Sequence, residues 1–233
     1  MALAAVMCLV AVTDRPSPEA QASSACPGRL NASWPAWLRP RQATVLVDSV
    51  LLSGLGGLRA RRPCWRLAIF GRPALMVGIA ADQLRSRRRV ARLVVVGLGY
   101  NSLWERGRRR YRVWARRFDG EARRLLHTLR RKGARQVVWV TLREPTIRTV
   151  PPQAAGELAQ YSWYFPYVNE RLRRLDRRRD DLVLADWAKA GDRPGVTYDS
   201  IHLNSRGAAL MARTVWGAVR REARRVRRDR RSR

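Results

Sequence analysis

The chain has 233 residues, of which 46% are hydrophobic, and a formal net charge of +30 at pH 7. That length and apolar content suit a single α/β domain with a sizeable core, and no apolar run reaches the 18 or so residues an ordinary membrane-spanning helix needs. Of the 48 basic residues only Lys132 and Lys189 are lysine. A genome rich in arginine codons accounts for arginine over lysine on a solvated surface, but not for the scarcity of acids. The other reading is a surface that attracts polyanions such as nucleic acid, anionic lipid or phosphate-rich cell-wall polymer. Nucleic acid is the least supported of these, because no aromatic-rich RNA-binding signature, zinc-finger spacing or recognition-helix pattern is present.

Residues 2–12 (ALAAVMCLVAV) are apolar, and a polar segment with prolines follows, ending in Ala20-Gln21-Ala22. This is the pattern of a secretory leader with a small-residue cleavage site, so residues 1–25 are expected to be a signal peptide or apolar leader. No Lys or Arg precedes the apolar run. An exported protein of the cell envelope follows if the leader works, and a cytoplasmic one if it does not. Cleavage there removes Cys8 and leaves Cys26 and Cys64, which either pair as a disulfide in an oxidising compartment or remain thiols. Three cysteines without clustered histidines argue against structural zinc.

Residues 26–43, rich in Pro and Trp, read as an extended arm. Thr44–Val47 is a short β-branched strand, and Val50–Arg62 follows as a helix. Trp65–Phe70 is the second strand, with a helix over Ala74–Arg87. Arg92–Val96 is a continuous apolar run of the kind buried on both faces of a parallel sheet. Arg110–Lys132 has helical spacing and stops at Gly133. Gln136–Thr141 is the fourth strand, a helix lies within Ala154–Arg178, and Asp181–Ala185 is the fifth strand. Ser205 reads as the N-cap of a final helix. Strands alternating with helices predict a three-layer, doubly wound α/β sheet of about five parallel strands. Sites in such sheets lie beyond the carboxyl ends of the strands. Ser49, Gly71 and Gly99-Tyr100-Asn101 would all fall on that rim.

Only two histidines are present. His127 lies inside the long arginine-rich helix, where packing or solvent is its natural role. His202 lies in Tyr198-Asp199-Ser200-Ile201-His202, just before the last helix. An Asp three residues ahead of a His in a loop can hold Nδ1–H and leave Nε2 for a nucleophile.

Four of these blocks together resemble the SGNH/GDSL hydrolases: Asp48-Ser49 after the first strand, Gly71 after the second, Gly99-Tyr100-Asn101 after the third, and Asp199-Ser200-Ile201-His202 before the last helix. Val168-Asn169-Glu170 through Asp186-Trp187 also resembles the helix–strand unit that leads to the last block in bacterial members. The resemblance spans about residues 44–216. It implies a flavodoxin-like SGNH domain, placed here at 44–219, and an enzyme that needs no cofactor and no metal. It further implies Ser49 as nucleophile, His202 as its base and Asp199 as the group that orients the imidazole. The oxyanion hole would comprise the Ser49 and Gly71 amides and the Asn101 side chain. No Gly-x-Ser-x-Gly elbow is present. The expected activity is acyl-ester hydrolysis through an acyl-enzyme, on short-chain esters of the cell envelope. The alternatives are O-acyl transfer to envelope glycans, or a catalytically weak protein that binds anionic envelope polymers.

Two residues depart from the family pattern. Val47 stands where a glycine usually precedes Asp-Ser, and a β-branched residue does not readily take a positive φ. Ser102 follows Asn101 where Asp or Gly is usual. Asp48 is expected to bond loop amides beside the nucleophile. Trp139, Trp163, Tyr164 and Trp187 are expected mostly in the core. Residues 220–233 carry nine arginines against two acids, which reads either as a solvated, fraying helix end or as a tether to an anionic envelope surface.

Overall fold

The computed structural model describes residues 35, 38, 41–103, 108–145 and 152–232. Five strands, β1 (Gln42–Val47), β2 (Arg66–Gly71), β3 (Leu93–Gly97), β4 (Gln136–Val140) and β5 (Leu182–Ala185), form one sheet. Every pairing is parallel and the strand order is β2-β1-β3-β4-β5. Among the described residues eight α-helices connect or flank the strands: α1 (Ser49–Leu52), α2 (Leu55–Arg61), α3 (Val77–Gln83), α4 (Tyr111–Arg131), α5 (Pro152–Tyr161), α6 (Tyr164–Asp176), α7 (Trp187–Ala190) and α8 (Ser205–Arg231). The expected doubly wound sheet is therefore present.

The central strands are rich in β-branched residues and, apart from Gln42 at the start of β1, buried along their length, as a sheet covered on both faces requires. Alternate residues separate onto two cores. Leu46, Val94, Val96, Val137 and Trp139 pack with α3, α4 and α6. Val45, Val47, Val95, Val138 and Val140 pack with α1, α2, α7 and α8. Leu38, in the expected extended arm, is buried in this second core, and β1 begins at Gln42, inside that arm. Trp139, Tyr164 and Trp187 are fully buried core residues.

Three expectations need correction. The single helix foreseen over Val50–Arg62 is two, because the Ser53 hydroxyl donates to the Val50 carbonyl at 2.6 Å and competes with helix continuation before Gly54. The helix foreseen within Ala154–Arg178 is also two, α5 and α6. The last helix is capped by Asn204, not Ser205. Asn204 has an extended ψ and its side chain accepts from Gly207 N at 3.0 Å, and Asn and Ser are near-equal caps by residue type alone. Among the described residues no helix is long and apolar enough to cross a membrane. Residues 1–34, which contain the expected leader, Cys8 and Cys26, lie outside the described residues. Cys64 is disulfide-bonded.

Candidate active site

β1 lies between β2 and β3, so the chain leaves β1 toward one side and β3 toward the other. A crevice opens at the carboxyl ends at such a switch point. Val47 pairs with Gly71 on one side and Gly97 on the other, which sets the ends of the three strands level. Ser49 emerges two residues beyond this line as the first residue of α1, half-buried.

Val47 creates no strain. It is the last residue of β1, fully buried, and is not among the described non-glycine residues with positive φ, which are Arg41, Ala74 and Ser200. The turn to Ser49 is made by Asp48 in an extended conformation (φ −93°, ψ −171°). The side chain at 47 needs space, and glycine supplies it on the neighbouring strand. A Cβ at Gly71 would collide with Val47 Cγ2 and the Val47 carbonyl. Likewise a Cβ at Gly97 would strike the Leu51 side chain, so Gly97 lets α1 sit down on the sheet.

Asp48 has no solvent exposure. It caps α1 by accepting from Val50 N at 3.1 Å, and its other oxygen accepts from Asn101 Nδ2, also at 3.1 Å. Burial pushes its carboxyl up to about 7, against the lowering effect of its bonds from Val50, Leu51, Tyr100 and Asn101. Asp48 is thus the joint between the first and third blocks, consistent with the loop-bonding role foreseen for it.

Asp199 and His202 are directly paired, Oδ2 to Nδ1, at 2.6 Å. The other Asp199 oxygen accepts from the backbone of Ile201 (3.0 Å) and His202 (2.7 Å). Burial raises the Asp199 carboxyl, but its hydrogen bonds from His202 and Ile201 outweigh that and hold it below the ordinary value. His127, by contrast, is exposed in the middle of α4.

The His202 loop reaches the Ser49 helix through Ser53. Leu203 N donates to Ser53 Oγ at 2.9 Å, one helical turn after Ser49, whose carbonyl accepts from Ser53 N at 3.1 Å. The structure therefore pairs Asp199 with His202 and Asp48 with Asn101. It sets Ser49 and Gly71 at the ends of adjacent strands, and it anchors the His202 loop on α1.

Three contributors were not foreseen. Ser53 is the first. Arg143 is the second, a 7% exposed residue just beyond β4. Its Nε donates to Gly191 O at 2.6 Å and an Nη to Ser200 O at 2.9 Å, while its backbone N donates to the Tyr100 hydroxyl at 2.6 Å. One residue so ties three rim loops together, including Ser200 at φ 73° between Asp199 and His202. The third is Tyr198, 68% exposed, whose ring stacks on His202 at 5.7 Å and 15°. The rim rule alone picks out Arg143, but a chain this rich in arginine hides it.

The fold matches solved structures. The C-terminal catalytic domain of Streptococcus pneumoniae peptidoglycan O-acetyltransferase A aligns with 78% of this chain and 93% of that one, at 18% identity and a TM-score of 0.57. A GDSL-like lipase from Bacteroides thetaiotaomicron aligns with 78% and 89%, at 12% identity and a TM-score of 0.60. An acetyl xylan esterase aligns with 76% and 99%, at 19% identity and a TM-score of 0.55. The chain has the SGNH-hydrolase fold. No family model matches it, and no curated protein matches it in sequence. On the SGNH fold the four sequence blocks occupy the carboxyl rim described above. Among the described residues no group of three or more His, Cys, Asp or Glu could hold a metal ion.

Proposed function

We propose that this protein is a serine carboxylic-ester hydrolase that works through an acyl-enzyme. The observation that carries the reading is the 2.6 Å Asp199–His202 pair on a loop fastened to the helix that begins with Ser49. A carboxylate on Nδ1 fixes the tautomer that leaves Nε2 as a base. In this reading His202 takes the Ser49 proton as Oγ attacks the ester carbonyl. Asp199 stabilises the imidazolium that forms. The amides of Ser49 and Gly71 and the Asn101 side chain receive the oxyanion, and His202 then returns the proton to the departing alcohol. Water resolves the acyl-enzyme by the same steps in reverse.

The substrate class we propose is a short-chain acyl ester carried on an envelope glycan. Tyr198 supports it, since an exposed aromatic face beside the reacting centre suits a sugar ring. The names of two structural neighbours, a peptidoglycan O-acetyltransferase and an acetyl xylan esterase, point to acetyl groups on polysaccharides. The first of them favours a second reading, in which a sugar hydroxyl replaces water in resolving the acyl-enzyme. Export to the envelope, with residues 1–25 as leader, belongs to the same proposal.

The test is labelling of the purified protein by a fluorophosphonate probe together with p-nitrophenyl acetate turnover, beside Ser49→Ala. Wild type should label and turn over, and the variant should do neither. Equal behaviour of the two proteins overturns the proposal. Adding an oligosaccharide acceptor and following acetylated sugar against free acetate separates transfer from hydrolysis.

A further inference from the structure

We infer that the end of the sheet opposite the candidate active site, at the amino ends of its strands, is a docking surface for a linear phosphate polymer without bases. A groove of about 940 Å³ runs across the amino ends of the strands, where the loops into β3, β4 and β5 meet the end of α4. Arg88, Arg89, Arg92, Arg131, Arg135 and Arg178 line it, all exposed. None of the six has a carboxylate within 4.0 Å among the described residues. Two acids also line it, Asp180 and Asp181, and the second is already engaged in a two-pronged pair by Arg179, at 2.7 and 2.8 Å. The groove is preformed: Val90 N donates to Lys132 O at 3.0 Å and Arg135 N to Arg92 O at 2.8 Å, which locks its two arginine-bearing loops together.

The arginine-rich terminus of the chain arrives at the same end of the sheet. α8 starts on the active-site rim and its 27 residues give it a length of about 40 Å, enough to cross the sheet. Arg225 donates to Asp180 O at 3.2 Å, which pins the far end of α8 beside the groove. Arg224, Arg227 and Arg228 are exposed there. Arginines from three connections and from the end of α8 therefore converge on one pole, at the end of the sheet away from Ser49.

The occupant follows from shape and chemistry. Arginine forks match phosphate oxygens bidentately. A groove holds a strand, whereas a bilayer presents a flat surface. Among the described residues no aromatic side chain lines the groove, and proteins that hold single-stranded nucleic acid stack its bases on such rings. Because the site lies opposite the rim, a polymer held there leaves the rim open to substrate.

The experiment is binding of long-chain inorganic polyphosphate to the full chain, by calorimetry over a range of salt, with no turnover involved. A failure here is therefore distinct from a failure of the hydrolase reading. Replacing Arg88, Arg92 and Arg135 together by Ser should weaken binding at least tenfold and flatten the salt dependence by about two logarithmic units per unit, on the scale of single-stranded phosphate chains. Turnover of p-nitrophenyl acetate should not change. Replacing Arg116, Arg117 and Arg123, exposed on another arginine-lined hollow along α4, should have little effect. Equal weakening by both sets would mean diffuse attraction and overturn the proposal. Tighter, Arg88/Arg92/Arg135-dependent binding of single-stranded DNA or of anionic lipid vesicles would overturn it in favour of those partners. Should the first variant fold poorly, hydrogen exchange of the wild type decides. Polyphosphate should protect residues 88–92 and 132–135 selectively, and uniform or absent protection overturns the inference.

Discussion

Asn101 donates its side-chain amide to Asp48 at 3.1 Å, joining the loop after β3 to the residue that caps the Ser49 helix. The two residues come from strands that are neighbours only because β3 pairs with β1. This bond fixes the amide proposed to receive the oxyanion, so that position and catalysis are coupled at one side chain. Asn101→Ala should lower kcat by about 10² to 10³ with a small change in KM, the signature of a donor used mainly in the transition state. Steady-state kinetics on p-nitrophenyl acetate measure it, and a loss confined to KM would contradict the assignment.

Asp48 also makes a prediction about pH. Its folded-state carboxyl is pushed up to about 7, above the ordinary value of 3.8. The folded protein therefore holds this proton more tightly than the unfolded chain does. The Asp48 contribution to stability is fully present below pH 4, falls as pH rises toward 7, and is level above that. Chemical denaturation between pH 4 and 8 should show this slope in wild type and a smaller one in Asp48→Asn.

Asp199→Asn should leave the fold intact and cut kcat by a factor on the order of 10⁴, as loss of the tautomer-setting carboxylate does in serine hydrolases. Pre-steady-state labelling by a fluorophosphonate should slow in parallel. An unchanged labelling rate would place Asp199 outside the chemistry.

Arg143→Met should uncouple the rim loops. It removes the guanidinium from the Gly191 and Ser200 carbonyls, two charge-assisted bonds of a kind worth about 1.5–3 kcal/mol each, while Gly191 O keeps its bond from Arg193 N at 2.8 Å. The Tyr100 bond, made by the backbone of residue 143, is expected to survive. Both the melting temperature and kcat should fall, and kcat should fall further than the lost stability accounts for when assayed well below the transition.

Val47→Gly restores the residue that the SGNH/GDSL pattern carries, yet it should not raise activity. Val47 is fully buried in β1 and has no positive φ to relieve. Removing its side chain and placing glycine in a strand should cost about 2–4 kcal/mol, read by urea denaturation, with kcat unchanged or lower.

Composition and local pattern alone were sufficient for the strand–helix alternation, the parallel sheet and the placing of Ser49, Gly71 and Asn101 after its first three strands, whereas Asp199 and His202 were placed only as a pair before the last helix. Buried parallel strands need uninterrupted β-branched runs, and Asp199 and His202 lie three residues apart, so both signals are local. Splitting of the helix after Ser49 was not legible, because a serine hydroxyl bonded to the Val50 carbonyl is compatible with continuing or ending a helix, and the Ser53 hydroxyl is also held by Leu203 N, 150 residues away. The consequence of Val47 was equally hidden, since its answer is the absent Cβ of Gly71 on the next strand. Arg143 joins loops separated by more than 40 residues, and the arginine groove gathers segments from three connections and a helix end. Residue type and short spacing determined what the rim would contain. Which side chains hold it rigid, and where the surplus positive charge gathers, depended on contacts that exist only once the chain is folded.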